Sequence, residues 1–296
     1  MMKNSAAVVV GIISSGRPAI LPETIAELRR QTYPFQRIII CTPRPSDAAQ
    51  VAEAEDIVRL IGPTGAPHQR NVVLDHARDA DIVVFFDDDF LPDPDYLRRC
   101  VEAFQSDPAI VAATGRVLAD GAKGPGLTVA DGRAILADPA INDNPAMPPV
   151  EAAWSSYGCN MAYRMSVITE HDMRFDERLP LYAWYEDIDF SRRMGAYGRL
   201  VRVNGAKGVH LGTKKGRTPG RHLGYSQVAN PIYLSRKGSF PWDHSLRSIG
   251  RNIAMNMLRS LRPEPYIDRR GRLIGNGMAL LDWMRGRVAP ERILTF

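Results

Sequence analysis

The chain has 296 residues, 45% hydrophobic and 24% charged, with a formal net charge of +5. Those values exclude a wholly disordered chain, a collagen and a coiled coil, and a chain this long can bury enough apolar surface to fold without disulfides or a structural metal. The charge is polarised: residues 1–213 carry 22 Lys and Arg against 28 Asp and Glu, while residues 214–296 carry 16 against 5. Three widely spaced cysteines, Cys41, Cys100 and Cys159, contain no CxxC pair and point to a reducing cytoplasm. The apolar run 8–13 is too short for a signal peptide, and no segment reaches the roughly 18 apolar residues of a membrane-spanning helix.

In chain order, residues 7–14 form a continuous apolar run closed by Ser15-Gly16-Arg17-Pro18, which predicts a buried strand and a turn. Residues 21–31 predict a helix, with Ile25 and Leu28 on one face. Residues 37–42 predict a second strand, 48–55 a helix, 57–61 a third strand, 69–77 a helix and 81–86 a fourth buried strand. Strands alternating with helices imply right-handed crossovers and a mostly parallel sheet, with chemistry beyond the carboxyl ends of the strands. A helix is expected over 95–105, and a loop over 119–150, which is rich in Gly, Pro, Asp and Ala. Mixed strand and helix signals resume at Val150 and run to His210, and residues 213–238 are basic with no acid. Residues 245–261 predict an amphipathic helix with Leu246, Ile249, Ile253, Met257 and Leu261 on one face and Arg247, Arg251 and Arg262 opposite. The class is therefore α/β, a mostly parallel central sheet with flanking helices, followed by a basic helical C-terminal extension.

Two acidic clusters stand out. Asp87-Asp88-Asp89 follows the fourth strand, and adjacent carboxylates are most easily tolerated with water or a cation between them; hard oxygen ligands suit Mg2+ or Mn2+. A haloacid-dehalogenase-type phosphotransferase also starts with Asp-x-Asp after a strand, but Phe90-Leu91 departs from the Thr or Val it requires. The second cluster, Trp184-Tyr185-Glu186-Asp187-Ile188-Asp189, fits the first turn of a helix, where acids complement the dipole or supply a general base. Trp184 and Tyr185 offer either a stacking surface for a sugar or core packing. His210 is either a hydrogen-bonded core residue or a ligand for Mn2+.

In this order the motifs resemble the family 2 glycosyltransferases of GT-A fold. Ser14-Ser15-Gly16-Arg17-Pro18 resembles the first nucleotide loop, Leu28-Arg29-Arg30-Gln31 the end of the helix after it, and Gln69-Arg70-Asn71 the segment before the metal strand. Phe86-Asp87-Asp88-Asp89 resembles the Asp-x-Asp motif, Tyr157-Gly158-Cys159-Asn160 the Gly-x-Asn segment near the donor sugar, Glu186-Asp187 the Glu-Asp motif, and His210 the late metal-binding histidine. The resemblance covers residues 6–238. It implies inverting transfer from a UDP-, dTDP- or GDP-linked sugar to a carbohydrate or lipid-linked acceptor, as in polysaccharide or glycolipid synthesis, with Mn2+ or Mg2+ as cofactor. It further implies that Asp89, His210 and Asp87 hold the metal, that Asp187 with Glu186 serves acceptor deprotonation, and that Trp184 and Tyr185 meet the acceptor. Ser14, Arg17, Thr42, Arg70, Asp87, Asp88 and Asn160 would face the donor, with Lys214 and Lys215 in a basic lid over the diphosphate. One departure is Cys41-Thr42-Pro43-Arg44-Pro45, where the family often carries an Asp that reads the base.

The resemblance also divides the chain: a catalytic domain over 1–238, with a nucleotide half at 1–118, a flexible loop at 119–150 and an acceptor half at 151–238, and an extension over 239–296. A sugar-nucleotide nucleotidyltransferase is the second enzymatic reading, disfavoured because the first loop holds one Gly and a Pro rather than a Gly-rich basic stretch. A non-enzymatic nucleotide- or nucleic-acid-binding module is the third. The acidic front half and the lack of RNA-binding aromatic signatures oppose it, so no nucleic-acid partner is expected. The extension is expected either to dock on the catalytic domain or to bind an anionic membrane surface, at the inner face of the cell membrane.

Overall fold

A computed structural model describes residues 5–142, 147–215 and 218–296. The chain forms two compact units, one of residues 1–64, 68–174 and 193–216, the other of residues 65–67, 175–192 and 217–296. In chain order the elements are β1 (Val8–Ile13), α1 (Leu21–Leu28), β2 (Arg37–Thr42), β3 (Ile57–Ile61), α2 (Ala66–Asp75), β4 (Ile82–Asp87), β5 (Phe90–Pro92), α3 (Tyr96–Ser106), β6 (Ile110–Asp120), α4 (Val129–Ala137), α5 (Pro139–Asn142), β7 (Val150–Ala152), β8 (Asn160–Arg164), α6 (Met165–Glu170), α7 (Glu186–Met194), β9 (Arg199–His210), α8 (Gly220–Lys237), α9 (Trp242–Arg259) and α10 (Arg269–Met284).

The first unit is built on one sheet. Among the described residues it has nine strands in the order β3-β2-β1-β4-β8-β6-β9-β5, with β7 also paired to β9. The strands β3, β2, β1 and β4 run parallel, as the alternating pattern predicts; β8 then enters antiparallel between β4 and β6. The apolar run of β1 is continuous because both of its faces are covered. Val8, Val10 and Ile12 join Leu21, Ile25 and Leu28 of α1 in one core cluster, while a Cβ on Gly11 would lie 2.6 Å from Val73 of α2 on the other face. Each such side chain taken from water contributes roughly 1.5–3 kcal/mol.

Register fixes where the chemistry sits. Ile13 at the end of β1 is level with Cys41 of β2 and with Asp87 of β4. Ser14, Thr42 and the Asp87-Asp88-Asp89 turn therefore leave the sheet at the same edge. Beyond the parallel half, Phe90 of β5 pairs with His210 of β9, and Asp120 at the end of β6 also pairs with His210.

Two stretches differ from expectation. Residues 48–55 are not a helix. Pro45–Ala48 forms a short 3-10 turn, and only Ala48 and Val51 of this stretch are buried, too little anchoring to offset the cost of nucleating a helix. Residues 119–150 are not a loop throughout. β6 runs to Asp120, and α4 begins at a capping box in which Thr128 and Asp131 satisfy each other's backbone N–H. Leu127, Val129, Ile135 and Leu136 pack on Leu91, Val209 and Leu211, which explains how so Gly- and Pro-rich a segment is held. Residues 143–146 of this stretch lie outside the described residues.

In the second unit, α8, α9 and α10 pack on one another around Tyr225, Val228, Ala229, Ile232, Ile249 and Ala279. The crossing of α8 and α10 is close because two glycines face the opposite backbone. A Cβ on Gly224 would meet the Arg272 carbonyl oxygen at 2.0 Å, and one on Gly275 the Arg221 carbonyl oxygen at 2.0 Å. The helix expected at 245–261 is α9, but it does not bury the predicted face. Ile249 is buried and Ile253 half-buried, while Leu246, Met257 and Leu261 are 52%, 55% and 81% exposed.

Candidate metal and nucleotide site

In the first unit, the turn after β4 brings three carboxylates to the sheet edge, and each meets different partners. The Ser14 hydroxyl donates to Asp88 Oδ2 at 2.5 Å, Arg17 Nη1 donates to Asp88 Oδ1 at 2.8 Å, and Thr24 Oγ1 donates to the Asp88 backbone carbonyl at 2.7 Å. Asp89 accepts the Thr213 backbone N–H on Oδ2 at 2.6 Å and presents Oδ1 to His210 Nε2 at 3.4 Å. Asp87 lies 3.4 Å from Arg70 Nη2 and 3.9 Å from His210 Nε2. Ligand atoms of Asp87, Asp89 and His210 all lie within 4.8 Å of one another.

His210 is held from behind by a residue that the sequence reading did not single out. Asp120 Oδ1 sits 2.9 Å from His210 Nδ1, and the Tyr157 hydroxyl donates to Asp120 Oδ2 at 3.0 Å. An Nδ1–H donated to Asp120 leaves Nε2 facing Asp87 and Asp89, the arrangement by which a carboxylate orients a ligating imidazole.

The electrostatics follow from burial and these pairs. Burial opposes charge on His210, yet the hydrogen bond to Asp120 and the facing carboxylates of Asp89 and Asp87 push its pKa up to about 10. Burial would raise Asp89, but His210 and Arg17 hold it well below the usual carboxylate range. Burial pushes Asp88 up to about 7 against the pull of Arg17, and it also raises Asp87, against Arg70 and His210. Asp120 is likewise opposed by burial but held down to about 2, first by His210. So many acids in one place hold a proton on His210 and the half-buried guanidinium of Arg17, which a divalent cation could supplant or supplement.

The residues present fit such a cation. Asp89 Oδ1 is buried with no hydrogen-bond partner, and two carboxylates with one imidazole nitrogen form a hard-to-borderline donor set suited to Mn2+ or Mg2+. Asp87, Asp89 and His210 would hold it.

The remaining sequence candidates of this unit are placed as follows. Thr42 is buried and donates to the Arg44 carbonyl at 3.0 Å. Arg70 donates to the Gly158 carbonyl at 3.1 Å, tying α2 to the Gly158-Cys159-Asn160 segment. The Asn160 carboxamide oxygen accepts from Thr114 Oγ1 at 2.5 Å and from the Gly115 N–H at 3.2 Å, so this end of the side chain is engaged within the sheet. Lys214 Nζ donates to the Gly121 carbonyl at 2.9 Å, and Arg17 Nε donates to the Lys215 carbonyl at 2.9 Å. Both contacts fasten the segment after β9 beside the acidic turn.

In the second unit, Leu181, Ala183 and Tyr185 all adopt positive φ, 58°, 54° and 74°, just before α7. Non-glycine residues in that region are strained by about 1–3 kcal/mol each, a cost that surrounding structure must hold in place. The segment sets Glu186 and Asp187 in the first turn of α7. Glu186 is buried; Asp187 is half-buried, with Oδ1 accepting the Ile188 N–H at 2.9 Å. Tyr185 meets Ser248 through their hydroxyls at 2.6 Å, and the Trp184 carbonyl accepts from Asn230 Nδ2 at 2.9 Å. Asp189, fully buried on the same turn, is paired with Lys237 Nζ at 2.8 Å and Ser239 Oγ at 2.6 Å.

Residues 9–129 match the family model described as Glycosyl transferase family 2. A search of curated protein sequences finds no match. Among solved structures the chain is similar to a mannosyltransferase, PcManGT from Pyrobaculum calidifontis, in complex with GDP-Man and Mn2+, at 15% identity over 95% of this chain and 88% of that one, with a TM-score of 0.59. It is also similar to S. aureus TarS 1-349, at 14% identity over 95% and 92% of the two chains with a TM-score of 0.53, and to the same protein in complex with UDP, at 15% identity over 95% and 92% with a TM-score of 0.50. At such identities these likenesses speak for the fold. Residues 9–129 thus match Glycosyl transferase family 2, and the fold in which they sit is similar to that of solved glycosyltransferases.

Proposed function

We propose that the protein is an inverting, divalent-metal-dependent glycosyltransferase that moves a sugar from a nucleoside-diphosphate sugar to an acceptor hydroxyl, in polysaccharide or glycolipid synthesis. The observation that carries the reading is the gathering of Asp87, Asp89 and His210 within 4.8 Å at the sheet edge. Bound there, Mn2+ or Mg2+ would neutralise the charge that grows on the departing diphosphate. The imidazole in the donor set favours Mn2+ over Mg2+.

The chain's own residues have the following roles in this reading. Asp87, Asp89 and His210 bind the cation, and Asp88, buttressed by Ser14 and Arg17, shapes the nucleotide loop. Thr42 lies at the carboxyl end of β2, level with that loop, and contacts the nucleoside. Arg70 and Asn160 line the donor side, and Lys214 and Lys215 close over the diphosphate. Asp187, backed by Glu186, takes the proton of the acceptor hydroxyl, and Trp184 and Tyr185 bound the acceptor. The donor is a UDP-, dTDP- or GDP-sugar; the solved relatives bind GDP-Man and UDP, which supports that range. Three buried thiols, Cys41, Cys100 and Cys159, suit a reducing, cytoplasmic setting.

The test is nucleoside-diphosphate release from a panel of sugar nucleotides, with Mn2+, Mg2+ or EDTA. One donor should turn over with metal and stop with chelator. Asp187→Asn should lose about 10²–10⁴-fold in kcat, the usual contribution of a general base. Turnover unaffected by EDTA would remove the metal from the reading, and wild-type kcat in Asp187→Asn would remove the base.

A further inference from the structure

Helix α9 is packed inside out. The side it turns into the second unit is mostly polar, with Ile249 buried and Ile253 half-buried among it. Ser245 donates to the Pro231 carbonyl at 3.0 Å, Ser248 meets the Tyr185 hydroxyl, and buried Asn256 donates to Gln227 at 3.0 Å and to Asn276 at 2.9 Å. Its outward side is apolar. Trp242, Leu246, Met257, Leu258 and Leu261 are 43% to 81% exposed. At 100° per residue, Trp242, Leu246 and Met257 form a stripe about 60° wide, with Arg247, Leu258 and Arg251 further round on one side and Leu261 just past the end of the helix. The neighbouring α10 repeats the pattern, with Ile274, Leu281 and Met284 on one exposed face and Arg270 and Arg285 near its ends.

The polar groups on the inner side of α9 find their hydrogen-bond partners within the unit. A helix that spends its hydroxyls and amides inward and its leucines outward has an apolar medium to meet. The flanking charge says which one. Arg251, Arg262, Arg270 and Arg285 are exposed and have no acidic partner among the described residues. A second copy of the chain would bring these unpaired arginines against one another. A bilayer with anionic lipid takes both features together: apolar side chains enter the headgroup–acyl boundary while arginines reach lipid phosphates. No helix among the described residues is long and apolar enough to cross a membrane.

We propose that the outward faces of α9 and α10 form a peripheral docking surface for anionic lipid bilayer. The proposal does not rest on the assignment of the glycosyl-transfer site. The experiment is sedimentation of the full chain with phosphatidylcholine vesicles, with and without phosphatidylglycerol, at low and high salt. Wild-type protein is expected to sediment with the anionic vesicles at low salt, to be released by high salt, and to stay in solution with phosphatidylcholine alone. Arg251→Gln with Arg262→Gln should weaken partitioning by about tenfold, and Leu246→Ser with Leu258→Ser and Leu261→Ser by about tenfold or more. Neither set should lower the thermal midpoint of the free protein, because these side chains contact solvent there; a face needed only for folding would lower it. Wild-type protein left in solution with anionic vesicles overturns the proposal. So does a concentration-dependent dimer, seen by light scattering, that the three serines dissolve without any vesicle binding.

Discussion

At the scale of single residues, the candidate site depends on a contact invisible in the linear motifs. The carboxylate turn and His210 stand out by residue type. Asp120 does not, because it sits 90 positions from His210 in a stretch that reads as loop. The parallel pairing of β6 with β9, with its register shifts, is what sets the two side by side. With Nδ1 fixed by Asp120, His210 turns Nε2 to Asp89. Asp120→Ala should therefore weaken Mn2+ binding by about 10–100-fold, measured by titration calorimetry or by the signal of free Mn2+ in electron paramagnetic resonance. Tyr157→Phe, which removes only a hydroxyl donated to the far oxygen of Asp120, should cost less. Equal Mn2+ affinity in Asp120→Ala and wild type would strip Asp120 of the orienting role. The cysteines give a second residue-scale expectation. Burial pushes the thiols of Cys41 up to about 11 and Cys100 up to about 12, and Cys159 is 1% exposed. Thiolate being the reactive form, a disulfide reagent at pH 8 should titrate almost no thiol in the native chain and all three after denaturation. Rapid native labelling would contradict the packing around these strands.

At the scale of elements, the strands were legible and one helix was legible only in part. The apolar runs of β1, β2 and β4 read correctly because strands buried on both faces leave an unbroken hydrophobic record. Helix α9 also showed its period, but period does not tell inside from outside. Its serines and asparagines look like a solvated side until Gln227, Asn276 and Tyr185 are seen to receive them. The turn at 48–55 and the helix α4 failed for a related reason: composition favoured the wrong state, and the capping box Thr128-x-x-Asp131 outweighed a Gly- and Pro-rich background. The crossing of α8 and α10 carries its own prediction. Gly224→Leu must push α10 away from a backbone that a single Cβ would already meet at 2.0 Å. Overpacking of this kind costs about 1–3 kcal/mol or more, so the denaturation midpoint of this variant should fall, while Gly250→Ala, where a Cβ meets open space on exposed α9, should not. Equal midpoints for Gly224→Leu and wild type would show that the helices can separate without loss.

At the scale of the whole molecule, the net charge of +5 is the difference between an acidic front and a basic back. In the first unit the acids converge on the turn after β4, where a proton on His210 and the guanidinium of Arg17 already offset part of their repulsion. A cation bound there only in the folded state must add stability to that unit. At a hundred times its dissociation constant the gain is about 2.7 kcal/mol, which for a unit of this size is a rise in thermal midpoint of roughly 5–11 °C. The second unit holds none of the three ligands, so a scanning calorimeter has a built-in control. Mn2+ should move only the transition that His210→Ala or Asp89→Asn makes insensitive to metal, and EDTA should reverse it. Gly224→Leu should lower stability without changing the size of the metal shift, because the substitution and the ligands belong to different units. An unmoved midpoint in saturating Mn2+, or the same rise in His210→Ala as in wild type, would place the cation somewhere other than the sheet edge where Asp87, Asp89 and His210 meet.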